Sequence, residues 1–361
     1  MFAAVSNYDI SWPDPSVGGL DQQQKLIQAQ NQYLIQTGSN DATDVGTSIP
    51  NAGNFAYLDS AISKKGVIAL SPFFSQVPAF YYNGVVTSGG SLSGRISVTY
   101  CAANDSFYYG GETTGIVKIP VSDTGSNGIS ITGSGYFPQG CVDGTKIYYG
   151  PGSSAGPVKV LDTTTDTFTT LGNITELYSQ PTLAPNGILF FGSGTTTHEY
   201  YDLNTNTSGT CTGTTDSDSA YDWILAGDGY LYSVPRFQNT KVYRIDPLTQ
   251  TISMVLDDAN YISSDVKRGQ WLGPDGNIWT LNGSVNDAMY VYNWRTNTMS
   301  IAPYTYSKGS TDRPFWSCVM NNGEMIMTPW DTSYFRRYYT NPNWSGYINE
   351  ARVGNQNFSM Y

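Results

Sequence analysis

The sequence contains a single histidine, His198, which limits the catalytic and metal-binding chemistry that the chain can offer. Histidine-rich zinc sites, iron sites with two histidines and copper sites all need more than one imidazole. A Ser-His-Asp triad would have to use His198 itself. The residue stands in the segment THEYYDLNTNT, which we interpret as a β-strand. We therefore expect His198 to have a structural role rather than a catalytic one.

The cysteines and the acidic residues do not form a recognisable metal site. The four cysteines, Cys101, Cys141, Cys211 and Cys318, are far apart in the sequence and predict buried free thiols. The acid pairs nearest to a calcium loop do not complete its spacing. We predict no catalytic residues, no metal and no cofactor. A pair of carboxylates for glycoside cleavage is recognisable only from its separation in space.

Aromatic residues near the end of the chain form the strongest candidate for a binding patch. An aromatic face with neighbouring polar groups suits a sugar or a protein surface. The predicted ligand-binding residues are Trp330, Asp331, Tyr334, Arg336 and Trp344. The alternative is ordinary packing. We also expect ordinary packing, between neighbouring repeats, for Trp223, Trp271 and Trp316.

Composition excludes several classes of protein. The chain of 361 residues has a formal net charge of −11, which argues against binding to nucleic acid or to an anionic membrane surface. No apolar stretch reaches the length of a membrane span, and the first residues do not fit a secretory signal. We therefore expect synthesis in a cytoplasm. The abundance of glycine and aromatic residues favours strands and tight turns.

An internal repeat organises most of the chain. A tight turn followed by an apolar, aromatic strand occurs seven times, and the second turn residues are spaced 39, 39, 43, 42, 47 and 47 apart. These turns are Lys65-Gly66, Asn104-Asp105, Asp143-Gly144, Asn186-Gly187, Asp228-Gly229, Asp275-Gly276 and Asn322-Gly323. Each copy has a strand before the turn and three strands after it, and four antiparallel strands in about 43 residues are typical of a propeller blade. We predict an all-β fold, a seven-bladed β-propeller over residues 51–347.

The two ends of the chain do not fit the repeat. Residues 1–50 are predicted to be an N-terminal arm with one helix at residues 21–36, and residues 348–361 a C-terminal tail that could close the ring. The residues predicted to dock the helix on a partner are Leu26, Ile27, Gln30, Tyr33 and Leu34. Packing on the protein's own disc and self-association remain open alternatives.

The repeat resembles propeller families such as the kelch, NHL and YncE-like groups. The segment GPDGNIWTLNG, residues 273–283, is similar to a turn of the streptogramin-lyase-like propellers. That resemblance implies a metal-assisted site with histidine and glutamate, which one histidine does not supply, so the activity is not carried over. The chain also resembles propeller proteins of bacteriophage virions.

Three functions fit these observations. The first is a virion structural protein displayed on a phage particle, as a capsid projection, tail or attachment component. It is suggested by a composition with few lysines and glutamates and many small polar residues. Its expected partners are other virion proteins, met through the arm in multiple copies, and a host glycan or receptor. The second is a propeller lyase or hydrolase, which a perturbed carboxylate at the channel mouth would indicate. The third is a cellular protein-binding scaffold.

Overall fold

The computed structural model describes the repeat region and one short stretch before it. The described residues are 42–45, 57–72, 77–92, 95–111, 115–133, 137, 140–152, 155–175, 181–192, 195–217, 222–234, 240–258, 267–272, 277–282, 288–305, 315–321, 324–329 and 335–339.

These residues form seven four-stranded antiparallel sheets. Six of them are blades of four consecutive strands, in the order of the chain. Blade 1 consists of β2 (Tyr57–Ile62), β3 (Ile68–Pro72), β4 (Ala79–Tyr82) and β5 (Val85–Ser88). Blade 2 consists of β6 (Arg95–Cys101), β7 (Ser106–Gly111), β8 (Ile116–Pro120) and β9 (Ile129–Ile131). Blade 3 consists of β10 (Cys141–Asp143), β11 (Lys146–Tyr149), β12 (Gly156–Asp162) and β13 (Thr167–Ile174).

The next three blades repeat this arrangement. Blade 4 consists of β14 (Pro181–Leu183), β15 (Ile188–Phe191), β16 (Glu199–Asp202) and β17 (Thr207–Thr210). Blade 5 consists of β18 (Ile224–Leu225), β19 (Leu231–Ser233), β20 (Lys241–Asp246) and β21 (Thr251–Asp257). Blade 6 consists of β22 (Lys267–Leu272), β23 (Ile278–Asn282), β24 (Ala288–Asn293) and β25 (Thr298–Thr305).

The remaining sheet, the closing sheet, joins the two ends of the chain. Three strands come from the last repeat, β26 (Phe315–Asn321), β27 (Glu324–Pro329) and β28 (Phe335–Tyr339). The fourth and outermost strand is β1 (Ala42–Val45), which pairs antiparallel with β28. This strand belongs to the segment predicted as the arm, so the N-terminal side of the chain completes the sheet. The predicted tail, residues 348–361, lies outside the described residues.

The innermost strands of successive sheets lie side by side. Strand β2 contacts β6, β6 contacts β10, β10 contacts β14, β18 contacts β22, and β26 of the closing sheet contacts both β22 and β2. Radial repetition of this kind leaves only short, protected strand edges. The prediction of an all-β propeller made of four-stranded antiparallel blades is confirmed.

The core consists of apolar layers between neighbouring blades. Blades 4 and 5, for example, share a buried cluster that includes Phe190, Trp223 and Leu231. Trp223 is therefore inter-blade packing, as predicted. The predicted buried free thiols are confirmed for Cys101, Cys141 and Cys211. Trp271 lies in the innermost strand β22, and Trp316 and Cys318 lie in the innermost strand β26.

The tight turns predicted from the repeat are confirmed in the first five copies. The second turn residue has a positive φ in each, at 81°, 50°, 57°, 81° and 85° for Gly66, Asp105, Gly144, Gly187 and Gly229. Glycine adopts this conformation without the steric cost that a side chain brings. Asp105 is the exception, and its carboxylate is held by neighbouring side chains described below.

Helical structure is scarce in the described part of the chain, where the one helical element is a 3-10 turn at Val121–Asp123. The predicted helix at residues 21–36 lies outside the described residues. Within the described ranges, no helix has the length and apolar character needed to cross a membrane.

Candidate functional site

The strand order separates the connections onto two faces of the disc. In each blade the first strand is innermost and successive strands are antiparallel. The turns between first and second strands and between third and fourth strands therefore lie on one face, which we call the turn face. The connections between second and third strands, and those from one blade to the next, lie on the opposite face, which we call the loop face.

Around the axis, the turn face carries the tight turns between first and second strands. At blade 2 the carboxylate of Asp105 accepts hydrogen bonds from Lys65 Nζ at 2.5 Å and from Tyr100 Oη at 2.8 Å. Burial opposes ionisation of Asp105, but these hydrogen bonds and the lysine charges outweigh it and lower the pKa. Lys65 belongs to the turn of blade 1, so the pair joins neighbouring blades.

At the rim, the turn face carries a repeated polar turn between third and fourth strands. In blades 3 to 6 the turn has the sequence Asp/Asn-x-x-Thr-Asp/Asn/Gln-Thr and starts at Asp162, Asp202, Asp246 and Asn293. The first side chain accepts the backbone N–H two residues later at 2.9, 2.8, 2.9 and 3.0 Å. The fifth residue has a φ between 52° and 57°. These Asx turns satisfy their own backbone donors.

Side chains on the turn face also join one blade to the next. Asn104 Nδ2 donates to the carbonyl oxygen of Thr163 at 3.2 Å, and Asn186 Nδ2 donates to that of Pro247 at 2.7 Å. Both bonds connect the inner turn of one blade with the rim turn of the following blade. The described polar groups of this face are therefore largely engaged within the chain.

A carboxylate with a raised pKa lies in the inner turn of blade 5. Burial raises the pKa of Asp228, although the hydrogen bonds from Tyr232 Oη at 2.7 Å and Tyr230 N at 3.2 Å oppose the shift. The guanidinium of Arg244 stacks on the ring of Tyr230, 4.3 Å from its centroid. A perturbed carboxylate close to the axis is the feature expected of an enzyme that works at the channel mouth.

On the loop face, the best-described junction lies between blades 4 and 5 and contains the histidine. His198 immediately precedes β16 and is fully buried. Its Nε2 lies 2.9 Å from Thr215 Oγ1, and its ring packs edge-on against Trp223 at 5.1 Å. Burial lowers the pKa of His198 to about 4, so the imidazole is neutral at neutral pH. These contacts are those of a structural residue.

Further bonds connect the same junction. Thr215 N donates to the carbonyl oxygen of Thr196 at 2.9 Å, and Trp223 Nε1 donates to that of Phe191 at 3.2 Å. Lys241 Nζ lies 2.8 Å from the carboxylate of Asp216 on the outer side. These contacts therefore hold the start of β16 against the connection that leads from blade 4 to blade 5.

The predicted ligand-binding residues are divided by the topology. Trp330, Asp331 and Tyr334 stand in the sequence between β27 and β28, whose adjoining ends lie at the loop face. Arg336 lies in β28, opposite Met327 and Asp44 in the backbone register. Trp344 follows the other end of β28, which lies at the turn face. All of these except Arg336 lie outside the described residues.

The predicted docking residues Leu26, Ile27, Gln30, Tyr33 and Leu34 also lie outside the described residues. Among the described residues, no group of three or more histidine, cysteine or acidic side chains is placed to hold a metal ion.

Two features were missed at the sequence level. Residues 152–156 have the spacing Gly-x-Ser-x-Gly, but they run into β12 of an antiparallel sheet, whereas a nucleophile elbow joins a strand to a helix. The repeated rim turn of blades 3 to 6 was visible only as a polar stretch. Its fixed threonine in fourth and sixth positions is the signal that could have identified it.

Comparisons with known proteins support the fold. No family model matches the chain, and no curated protein matches its sequence significantly. A solved structure of a catalytically inactive histidine-to-alanine variant of virginiamycin B lyase from Staphylococcus aureus, with quinupristin, matches with a TM-score of 0.63 and 11% identity over 82% of this chain and 98% of that chain. A chain of the mitotic checkpoint complex matches with a TM-score of 0.63 and 11% identity over 84% of this chain and 93% of the other. Both likenesses concern the propeller fold alone.

Proposed function

We propose that this chain is a structural protein of a bacteriophage virion, made in the host cytoplasm and displayed on the particle. In this proposal the terminal segments attach the propeller to other virion proteins. The loop face points away from the particle and binds a host glycan or receptor. A capsid projection, a tail part and an attachment component all fit this arrangement.

One observation carries the proposal, the pairing of β1 with β28. Ala42 lies opposite Tyr338, so the segments before Ala42 and after Tyr339 leave the propeller from the same corner of the closing sheet. Because β28 is the third strand of its sheet, this corner lies on the rim of the turn face. In our proposal both terminal segments hold the disc from the turn-face side, and the loop face remains accessible to a host ligand.

We also propose that the closing sheet acts as a seventh blade. Its four-stranded antiparallel order and the contacts of β26 with both β22 and β2 support this count. A shared sheet makes closure of the ring depend on a strand from each end of the chain. The attachment segments are then tied directly to the element that closes the ring.

Composition supports display outside a cell. Charged residues make up 13% of the chain, whereas tyrosine and glycine are abundant with 28 and 38 residues. The proposed ligand site is the loop-face connection with Trp330, Asp331 and Tyr334, because aromatic rings beside a polar group suit carbohydrate and protein surfaces.

Truncation tests the attachment role. The chain should be compared by light scattering in full length and in a form that starts at Asp41, which retains β1. We expect the full chain to form multimers and the shortened chain to be a monomer with the same melting temperature. A third form that starts at residue 52 lacks β1 and should melt at a lower temperature. Monomeric full-length protein with the properties of the shortened form would contradict the proposal.

A lyase or hydrolase is the second candidate, favoured by the raised pKa of Asp228 near the axis. In that case Asp228→Asn would abolish turnover of an oligosaccharide panel while the melting temperature stays the same. Absence of turnover by the unmodified chain would count against this candidate.

A further inference from the structure

Three Asn-Gly pairs have both residues in the described part of the chain, and all three lie in connections of the turn face. They are Asn83-Gly84 in blade 1, Asn127-Gly128 in blade 2 and Asn186-Gly187 in blade 4. Glycine has no Cβ, so the backbone nitrogen that follows such an asparagine can approach the asparagine side chain closely. The three pairs therefore share one possible reaction, and their surroundings decide which of them undergoes it.

That reaction is deamidation through a cyclic imide. The glycine nitrogen, once it has lost its proton, forms a bond to Cγ of the asparagine, while the C–N bond of the side-chain amide breaks and ammonia leaves. Water then adds to one of the two imide carbonyls and opens the ring, which gives either aspartate or isoaspartate. The net change consumes one water and releases one ammonia. The step requires the nitrogen and Cγ to come into contact, so anything that holds them apart slows it.

At Asn186-Gly187, in the inner turn of blade 4, both reacting groups are held by hydrogen bonds. Gly187 N donates to the carbonyl oxygen of Ala184 at 3.0 Å. Asn186 Nδ2 donates to that of Pro247 at 2.7 Å, and the backbone carbonyl of Asn186 accepts from Asn204 Nδ2 at 2.8 Å. Attack on Cγ would have to break the bond of the nucleophile and that of the leaving group, so the folded chain protects this pair.

At Asn127-Gly128, in blade 2, the nucleophile is also engaged. Gly128 N donates to Ser126 Oγ at 3.2 Å. The neighbouring blade packs against the same segment: Gly90 N donates to the carbonyl oxygen of Ser126 at 3.1 Å, and a Cβ at Gly90 would lie 2.2 Å from Asn127 Oδ1. Asn127 is exposed to solvent, but the contacts on both sides of its side chain restrain it.

Asn83-Gly84, in the rim turn of blade 1, has none of these restraints. Both residues are exposed, and a Cβ at Gly84 would meet nothing within 4 Å. Within the described ranges, no hydrogen bond engages the Asn83 side chain or Gly84 N. The turn is closed by the last register pair of β4 and β5, Tyr82 opposite Val85, whose side chains are 47% and 61% exposed. An exposed end pair of this kind opens at little cost in free energy.

We propose that Asn83 is a site of spontaneous deamidation in the folded protein, whereas Asn127 and Asn186 keep their amides. The product places a carboxylate beside the exposed side chains of Tyr82 and Val85, where the unmodified turn carries no charge. Isoaspartate also adds one carbon atom to the backbone of a two-residue turn whose φ values are 48° and 84°. Because loop length fixes the register of a hairpin, the modification should loosen the turn end of β4 and β5. This modification does not depend on the proposed role in a virion.

Peptide mapping by mass spectrometry tests the proposal on the full chain. The protein should be kept at mildly alkaline pH, once folded and once unfolded in urea, and the loss of amide followed at each of the three asparagines. We expect similar rates at all three in urea. In the folded chain, Asn83 should react at least about tenfold faster than Asn186 and Asn127, because only its turn opens readily. Enzymatic methylation of isoaspartate should identify the product at Asn83.

The other two pairs are controls within the same molecule. Asn83→Gln should remove the fast release of ammonia from the folded chain without a change in melting temperature, whereas Asn127→Gln should leave that release unchanged. Retention of the amide at Asn83 in the folded chain, while the unfolded chain reacts, would overturn the proposal. So would loss of the amide at Asn127 or Asn186 at the rate of Asn83, because the hydrogen bonds and contacts described above would then give no protection.

Discussion

The turn face and the loop face of this propeller are built from different kinds of connection. On the turn face, short turns repeat from blade to blade and bond their own backbone, as Asp162 and Asp202 do. On the loop face, the connections differ in length and sequence, and the junction of blades 4 and 5 has its own arrangement around His198. The repeated turns of the turn face therefore support the fold, whereas the variable connections of the loop face are the part of the molecule in which a binding site can differ from blade to blade.

The difference also shows in how polar groups are satisfied. The rim turns of the turn face use carboxylates and amides that remain near solvent, and hydrogen bonds to Asp202 lower its pKa. Asp228 in an inner turn of the same face differs, because burial raises its pKa. The loop-face junction uses a neutral, fully buried imidazole. The two faces should therefore respond differently to pH and to substitution.

The largest expected effect concerns His198 at the loop face. Its pKa is about 4 in the folded chain against an ordinary value of 6.5, which corresponds to about 3 kcal/mol. The stabilisation is complete above pH 6.5 and is lost as the pH falls towards 4, because the unfolded chain then binds the proton more tightly. Urea unfolding between pH 7 and 4 should show this loss, and His198→Gln should remove that part of the pH dependence. An unchanged slope in the variant would contradict the assignment.

Glycine substitutions should distinguish packing between blades from the conformation of a turn. A Cβ at Gly110 would collide with the carbonyl oxygen of Phe137 and lie 2.6 Å from Ser97 Oγ, so Gly110→Ala should cost about 2 kcal/mol. At Gly144 on the turn face a Cβ meets nothing within 4 Å, and only the φ of 57° opposes alanine. Gly144→Ala should cost about 1 kcal/mol. Chemical denaturation of both variants measures the difference, and a larger cost at Gly144 would be the opposite of the expected order.

The rim turns should contribute less, because they lie near solvent. Burial opposes ionisation of Asp202, but hydrogen bonds from Asn204 and Thr205 outweigh it and lower the pKa. Asp202→Ala should therefore lower stability by at most about 1 kcal/mol at neutral pH. The loss should vanish as the pH falls through the lowered pKa, since the carboxylate of the parent chain is then protonated as well. Thermal melting is the measurement, with Asp202→Asn as the control that keeps one acceptor oxygen.

The smallest expected effects on stability come from the removal of single tyrosine hydroxyls. The hydroxyl of Tyr149 is buried and has no hydrogen-bond partner, so Tyr149→Phe should leave stability unchanged or raise it by up to about 1 kcal/mol. The matched position is Tyr201, whose hydroxyl accepts from Gly172 N at 3.0 Å and donates to Asn206 Oδ1 at 2.6 Å. Tyr201→Phe should cost about 1 kcal/mol. Equal effects of the two variants in urea unfolding would show that these hydroxyl contacts do not govern stability.

The repeat made the propeller predictable, because each tight turn requires a residue with positive φ followed by an apolar strand. Gly66, Gly144, Gly187 and Gly229 meet this requirement at the expected places. The origin of the outermost strand in the closing sheet was not predictable in this way. Ala42–Val45 is only four residues long and is separated from β28 by nearly the whole chain, so local periodicity contains no sign of the pairing.

The candidate site was less accessible to sequence reasoning than the fold. The structural role of His198 followed from its being the single histidine, but its contact with Trp223 depends on how two blades meet. Likewise, Trp330 and Trp344 are close in sequence, yet the strand β28 lies between the segments that contain them. Proximity along the chain does not determine which face a residue reaches in a propeller.

Binding measured with one substitution on each face tests the central claim most directly. The full chain, Trp330→Ala and Trp294→Ala should be applied to an immobilised panel of bacterial surface polysaccharides and followed by biolayer interferometry. In our proposal Trp330 is part of the ligand site of the loop face, whereas Trp294 lies in a rim turn of the turn face. We predict that the full chain binds, that Trp330→Ala loses at least about tenfold in affinity, as expected for an aromatic anchor, and that Trp294→Ala binds like the parent. Loss of binding in Trp294→Ala with full retention in Trp330→Ala would contradict the assignment of recognition to the loop face.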